Sequence, residues 1–133
     1  MNGHLLDTHV LLWALFAPEK LSDIARNALL DTQQDAFVST ISLWEISLKY
    51  ALGKLQLKHC TPEDIASAAR ESGFIVLPLL AEEAGSFHRL PRLAHRDPFD
   101  RMLVHQAILH DLALISRDGS MQDYKQHGLQ LIW

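Results

Sequence analysis

Short apolar runs alternate with longer amphipathic segments along the whole chain. The short runs are typical of buried strands, and the first of them ends near Asp7. The longer segments carry apolar residues at helical spacing. We predict strands over residues 4–6, 36–40, 74–79, 113–116 and 129–133. We predict helices over residues 8–16, 21–32, 41–55, 61–73, 81–90 and 97–112, and a short helix or turn over 119–126.

Strands that alternate with helices in this way indicate a parallel sheet covered by helices on both faces, which is an α/β fold. Several helix boundaries carry their own signals. Ser22 and Thr61 are residues that cap helix N-termini, and Gly53 and Gly73 stand where helices are expected to end. The chain has neither an internal repeat nor a long linker, so we expect residues 1–133 to form one domain.

Composition excludes several classes of protein. A formal net charge of −4 argues against a protein that coats nucleic acid by bulk electrostatics, although it permits a nuclease with an acidic metal site. No apolar run approaches the roughly 18 residues of a membrane span, and the N-terminus lacks a signal-peptide pattern. Cys60 is the only cysteine, so no intrachain disulfide can form, and we expect a cytoplasmic protein. The sequence signatures of serine hydrolases, P-loops and dinucleotide-binding folds are absent.

Acidic residues follow several of the predicted strands. Ligands of open α/β sheets bind at the carboxyl ends of the strands, so these acids are the candidates for a site. They are Asp7 after the first strand, Glu45 in the helix after the second, Asp97 or Asp100 at the start of the 97–112 helix, and Asp118 after the strand 113–116. They come from four separate segments, and we expect the topology to bring them to one edge of the sheet.

Each acid also has a structural explanation. Asp7 can cap a helix, Glu45 forms a favourable i,i+4 pair with Lys49, and Asp118 precedes a glycine as in a turn. In "DPFD", Asp97 fits the N-cap and Pro98 the first helical position, so helix initiation accounts for Asp97. Helix initiation explains the presence of Asp100 less well. We therefore take Asp100 as the catalytic candidate and Asp97 as a cap or outer-shell support.

Four carboxylates in one cleft would repel one another and have raised pKa values unless cations were present. Mg²⁺ and Mn²⁺ are hard cations that prefer oxygen ligands, so such a cleft is suited to metal-assisted hydrolysis of a phosphodiester. Arg96 and Arg101 fall in an arginine-rich stretch beside the acids and are candidates for phosphate binding. Trp13 and Trp44 can either stack on bases or, as we favour, belong to the core or an interface.

Four ordered blocks carry a family resemblance: "LLDTHVLLWAL", "STISLWEISLKYALGKLQL", "HRDPFDRMLVHQA" and "LALISRDGSM". Together they resemble the PIN-domain ribonucleases, specifically the VapC-like toxins of type II toxin–antitoxin systems. The resemblance implies a three-layer α/β/α sandwich around a parallel sheet and an endoribonuclease dependent on Mg²⁺ or Mn²⁺. It assigns Asp7, Glu45, Asp100 and Asp118 to the metal site. A cognate antitoxin and a homodimer are the implied partners, and RNA is the implied substrate.

Other functions remain open from the sequence. A non-catalytic PIN-like module that docks RNA or a protein partner would have the same fold, although an abandoned metal site has no reason to keep all four acids. A structure-specific DNA nuclease is a second alternative. We disfavour it because 133 residues leave no room for a basic arch or an additional domain.

Overall fold

The predicted strands form one parallel sheet in the computed structural model, which describes residues 3–133. The strands are β1 (Gly3–Leu6), β2 (Asp35–Ser39), β3 (Ile75–Leu77), β4 (Ala113–Ile115) and β5 (Gln130–Ile132). Their order across the sheet is β3-β2-β1-β4-β5, and every neighbouring pair is parallel. The α/β prediction is therefore confirmed.

The predicted helices form as well, with shorter bounds at several ends. They are α1 (Thr8–Phe16), α2 (Asp23–Leu30), α3 (Thr40–Ala51), α4 (Pro62–Glu71), α5 (Ala81–Ser86) and α6 (Pro98–Leu109). Three 3-10 segments span Pro18–Lys20, Phe87–Arg89 and Gly119–His127. Helix α3 ends before residue 55 because the chain turns at Gly53, whose φ of 73° is in the left-handed region. No helix within residues 3–133 has the length and apolar character needed to cross a bilayer.

The sheet separates two hydrophobic cores. Adjacent residues of a strand point to opposite faces, so Leu5 of β1 packs into one core and Leu6 into the other. The Leu5 core is built mainly with α6 and the chain that follows it, including the buried Tyr124. The Leu6 core is built with α1 to α4. This arrangement is the three-layer α/β/α sandwich.

Helix α3 presents an unexpected face to the protein interior. Helical spacing groups the apolar residues 41, 44, 48, 51 and 52 on one face and predicts that this face packs inward. Of these residues only Ile41 is buried, whereas Trp44 and Leu52 are 60% and 59% exposed. The polar strip with Ser42 and Glu45 is buried instead. The reason is a contact with α1, where the Thr8 hydroxyl lies 3.0 Å from the hydroxyl of Ser42 and 2.6 Å from the carboxylate of Glu45.

The strand order creates a crevice at the carboxyl edge of the sheet. The chain builds outward from β1 through β2 to β3, then returns to the other side of β1 with β4 and β5. The direction of winding therefore changes between β1 and β4. Such a switch point is where open α/β sheets bind ligands. Asp7 follows β1 and Ser116 follows β4, so both flank this point.

Candidate active site

Asp7 lies at the end of β1 and caps α1. Its Oδ1 accepts a hydrogen bond from the backbone N–H of Val10 at 2.8 Å, and its Oδ2 accepts one from the Ser116 hydroxyl at 2.5 Å. The predicted capping role of Asp7 is thus confirmed, yet the side chain also reaches across the switch point to β4. Burial raises the pKa of Asp7, although the hydrogen bonds from Ser116 and Val10 oppose the effect.

Asp100 lies in the first turn of α6. Asp97 is the N-cap, as predicted, and its Oδ1 accepts from the backbone N–H groups of Phe99 (2.8 Å) and Asp100 (3.1 Å). The Asp100 carboxylate is therefore not needed as a cap, and its Oδ2 lies 2.9 Å from Nε2 of His95. Burial raises the pKa of Asp100 to about 6, with the charge of Asp97 adding to the rise and the His95 contact opposing it.

Asp118 lies beyond β4, where it caps the 3-10 segment Gly119–His127. Its Oδ1 accepts hydrogen bonds from the backbone N–H of Ser120 at 2.9 Å and from the Ser120 hydroxyl at 2.6 Å. The Ser116 hydroxyl accepts from the backbone N–H of Asp118 at 3.0 Å, which ties Asp118 to the residue that binds Asp7. The Ser120 hydroxyl is the main cause that lowers the pKa of Asp118.

Three of the four predicted acids line one cleft. Asp7, Asp100 and Asp118 enclose a space of about 310 Å³ together with His9, Trp13 and Arg117. The three carboxylates come from the ends of β1 and β4 and from the start of α6. The strand order, which the sequence does not reveal, is what brings β4 beside β1 and so joins them.

Glu45 lies beside this cleft rather than in its lining. It is buried on α3, where Oε1 accepts from Thr8 and Oε2 pairs with the ammonium group of Lys49. The predicted i,i+4 pair is therefore present. Glu45 is still close enough for its charge to raise the pKa of Asp7 and of Asp100. Its assignment as a metal ligand stays a prediction.

The donor atoms of the cleft fit a hard divalent cation. Asp7 and Asp100 line the same cleft and have raised pKa values, mainly because of burial, and the charge of a cation would favour their ionised forms. Ligand atoms of Asp100, Asp118 and His95 lie within 4.8 Å of one another. Oxygen ligands suit Mg²⁺ and Mn²⁺, and an imidazole nitrogen favours Mn²⁺ over Mg²⁺.

A basic cleft lies on the other side of His95. It has a volume of about 460 Å³ and is lined by Arg92, Leu93, His95, Arg96 and Arg101. Arg101 is held in place, since its Nε donates to the Tyr124 hydroxyl at 3.2 Å and its Nη2 lies 3.3 Å from the carbonyl oxygen of Leu90. Arg96 is exposed. The two predicted phosphate-binding arginines therefore share one cleft next to the acids.

Three residues of this site were not predicted from the sequence. His95 is not among the predicted site residues, yet its Nδ1 lies 2.6 Å from the Ser120 hydroxyl and 3.9 Å from the Asp118 carboxylate. Ser116 holds Asp7, and Arg117 lines the acidic cleft. Ser116 is the last residue of a predicted strand and Arg117 directly follows it, which is a usable signal. His95 lies in a loop five residues before Asp100 and carries no such signal.

The sequence has relatives of known type. The profile of the PIN domain family matches residues 4–126 of this chain. The chain is 28% identical, over 138 aligned residues, to Ribonuclease VapC22 of Mycobacterium tuberculosis (strain ATCC 25618 / H37Rv), and the match covers 100% of both proteins.

Solved structures share the fold. VapBC2 from Rickettsia felis, bound to a DNA fragment from their promoter, superposes with a TM-score of 0.64 at 18% identity and with 96% of each chain covered. A toxin-antitoxin complex from Klebsiella pneumoniae superposes with a TM-score of 0.58 at 20% identity, covering 92% of this chain and 90% of that chain. At these identities the likeness is one of fold.

Proposed function

The chain belongs to the PIN domain family, and from that premise we propose that it is a divalent-metal-dependent endoribonuclease, a toxin held inactive by a cognate antitoxin. The single observation that carries the proposal is the convergence of Asp7, Asp100 and Asp118 on one cleft at the switch point of the sheet. A relative that aligns over its whole length, Ribonuclease VapC22, supports the choice of RNA as the substrate.

Asp7, Asp100 and Asp118 would hold one or more Mg²⁺ or Mn²⁺ ions, with Glu45 contributing directly or through its charge. A bound ion of this kind makes water a stronger nucleophile and stabilises charge on the leaving oxygen. The chain supplies the orientation of the ligands. Ser116 fixes the carboxylate of Asp7, and Asp97 fixes the start of α6 and so the position of Asp100.

We assign the phosphates that flank the cleaved bond to the basic cleft. Arg101 would present a fixed guanidinium group, because internal contacts already hold it, and Arg96 would approach from the exposed rim. No carboxylate within residues 3–133 forms an ion pair with either arginine. Their charges are thus available for phosphate oxygens, which position RNA without reading its sequence.

We assign the antitoxin to the apolar surface beside α1. A groove of about 520 Å³ runs along Leu12, Phe16, Leu55 and Leu57, and the side chain of Phe16 is 49% exposed. The toxin–antitoxin complexes that share the fold support a protein partner of this type. A homodimer is the further assembly that we propose, and the exposed Leu48 of α3 and Leu52, which follows that helix, are apolar residues that it would cover.

The test is cleavage of a mixed RNA pool by purified protein free of antitoxin, with Mg²⁺, with Mn²⁺ and with EDTA. Asp100→Asn and the surface variant Asp23→Asn serve as the site variant and its matched control. We expect cleavage with either metal, none with EDTA, loss in Asp100→Asn and retention in Asp23→Asn. A parallel DNA pool separates a ribonuclease from a DNA nuclease. Folded protein that neither cleaves RNA nor melts at a higher temperature with metal would favour the non-catalytic binding module instead.

A further inference from the structure

Part of the lining of the acidic cleft is aromatic. His9 and Trp13 line it together with the three aspartates, and their ring centroids lie 5.9 Å apart. Both residues belong to α1, which begins immediately after Asp7. A helical rise of roughly 1.5 Å per residue places His9 about 3 Å and Trp13 about 9 Å along the axis from Asp7. The backbone positions that carry the two rings are therefore fixed relative to Asp7.

The ring of Trp13 is held in place by packing against neighbouring residues. Its ring lies 5.8 Å from the ring of Trp133, and both rings pack against the hydrophobic core that contains Val10 and Leu11. Trp13 keeps part of its surface exposed, and His9 is exposed. A ring that is already ordered loses little conformational entropy when a ligand covers it. This is the property of a preformed stacking platform.

We propose that His9 and Trp13 form a base-stacking site. The site would bind the unpaired base of a nucleotide next to the phosphodiester that lies in the metal-loaded aspartate cleft. The inference rests on the proposed ribonuclease function, and it requires an RNA base that is not paired, as in a single strand, a loop or a bulge. Every base has a π-face, so aromatic stacking holds single strands with little dependence on sequence. A base inside a duplex is already stacked on its neighbours and cannot take this position.

The charge of the chain makes such a contact more important. At a formal net charge of −4, bulk electrostatic attraction does not hold RNA on this protein. Trp44, which is more exposed than Trp13, is placed differently. Trp44 is 60% exposed on α3, its ring lies 5.2 Å from that of Phe99, and it is outside the lining of the acidic cleft. Trp44 therefore provides a matched control.

The test measures the affinity of RNA for variants made in the Asp100→Asn background, which prevents cleavage during the titration. The probe is a short fluorescein-labelled oligoadenylate, read by anisotropy as a single strand and again in a duplex with its complement. Losing one stacked base should weaken single-strand binding by about 5- to 150-fold in Trp13→Leu. His9→Ala should weaken it in the same direction by less. Trp44→Leu and the exposed-histidine control His88→Ala should leave it unchanged.

Two further readouts separate a stacking site from a structural effect. Duplex binding should be the same for all variants, and in the cleavage-competent protein KM should rise in His9→Ala while kcat stays near the parent value. His9→Ala keeps the test decisive even when Trp13→Leu folds poorly, because the His9 side chain is exposed. Parent-like single-strand binding by His9→Ala and by folded Trp13→Leu would overturn the inference, as would an equal loss of single-strand and duplex binding.

Failure of the stacking site and failure of the nuclease give different results. Cleavage by the parent protein, with an unchanged KM in both variants, overturns the stacking site and leaves the nuclease in place. Binding of the oligoadenylate that depends on Trp13, without cleavage of any RNA by the parent protein, supports the stacking site and overturns the nuclease. A parent protein that binds no single-stranded RNA overturns the stacking site directly.

Discussion

Two polar clusters lie at the same edge of the sheet, and each contains a deeply buried carboxylate. Asp7 follows β1 and Glu83 lies in α5, which follows β3, and each residue is only 5% exposed. Burial raises the pKa of Asp7. Burial also acts to raise the pKa of Glu83, yet hydrogen bonds from the Leu80 backbone and from the side chains of Gln106 and His110 outweigh it and lower that pKa. The two carboxylates differ in their hydrogen-bond partners.

Both oxygens of the Glu83 carboxylate have hydrogen-bond partners within the protein. Gln106 donates to it at 3.1 Å and accepts from the Ser39 hydroxyl at 2.5 Å, so the cluster ties α5 and α6 to the end of β2. Asp7 differs, since no lysine, arginine or histidine within residues 3–133 forms an ion pair with it, and its hydrogen-bond partners are the neutral Ser116 hydroxyl and the Val10 N–H. A buried carboxylate with complete internal partners supports the fold, whereas one without a cationic partner is suited to binding a cation.

The largest effect should come from removing a carboxylate of the cleft. We expect Asp7→Asn to reduce RNA cleavage about 100-fold or more, as is typical when a group that stabilises developing charge is lost, because Asp7 would hold the metal ion that supplies this stabilisation. Stability should not fall, because Asn is also an effective N-cap and can keep the contact with the Val10 backbone. Initial cleavage rates and urea unfolding measure the two quantities, with Asp23→Asn as the control. Parent-like cleavage by folded Asp7→Asn would show that the reaction does not need the Asp7 carboxylate, so that the two clusters would not differ in function.

The opposite result is expected for the second cluster. Glu83→Ala leaves the Leu80 N–H and the Gln106 amide without their acceptor, and we expect a loss of about 2–4 kcal/mol in the free energy of unfolding. Cleavage per folded molecule should stay at the parent value. Urea unfolding and an assay corrected for the folded fraction measure this. A variant of parent stability with impaired cleavage would show that Glu83 serves the reaction rather than the fold.

Metal binding should distinguish the clusters without any assay of activity. A divalent ion that binds only the folded state stabilises it by about 2.7 kcal/mol when its concentration is 100 times Kd. We expect Mn²⁺ and Mg²⁺ to raise the melting temperature of the parent protein and of Glu83→Ala, relative to EDTA. Asp100→Asn should lose most of this rise. Equal rises in Asp100→Asn and the parent would place the metal outside the cleft.

Local signals account for much of the fold and for part of the site. The strands, the helices and the position of Asp7, Asp100 and Asp118 at element ends were all predictable, since each follows from a short window of sequence. The strand order was not, because it depends on packing between distant segments. The hydrogen bond from Ser116 to Asp7 therefore spans 109 residues and has no local signature.

Helix α3 shows a second limit of pattern reasoning. Its apolar stripe, with Trp44 and Leu52, is exposed, while the Glu45 strip faces the interior. Periodicity identified the helix but misidentified its buried face, because the polar contacts from Thr8 to Ser42 and Glu45 determine which side packs inward. Buried polar networks override the amphipathic pattern where every member finds a partner.

The smallest effect is a pH dependence specific to Glu83. Its folded pKa lies below the ordinary value of 4.5, so the unfolded chain takes up a proton first as the pH falls. The stabilisation by ionised Glu83 is thus complete above about pH 4.5 and is lost as the pH falls through the folded pKa. Comparing Glu83→Gln with the parent protein isolates this contribution, because the titrations of Asp7 and Asp100 are common to both proteins and cancel.

We expect the free energy of unfolding of the parent protein to exceed that of Glu83→Gln by roughly 1.5–3 kcal/mol at neutral pH, which is the scale of hydrogen bonds to a charged group. The difference should shrink steadily in urea unfolding curves recorded from pH 5 downward, a range that begins about where the carboxyl group starts to titrate in the unfolded chain. A difference that instead grows on acidification would mean that Glu83 is protonated in the folded state. In that case its partners would fall short of compensating its burial, and Glu83 would resemble Asp7 rather than contrast with it.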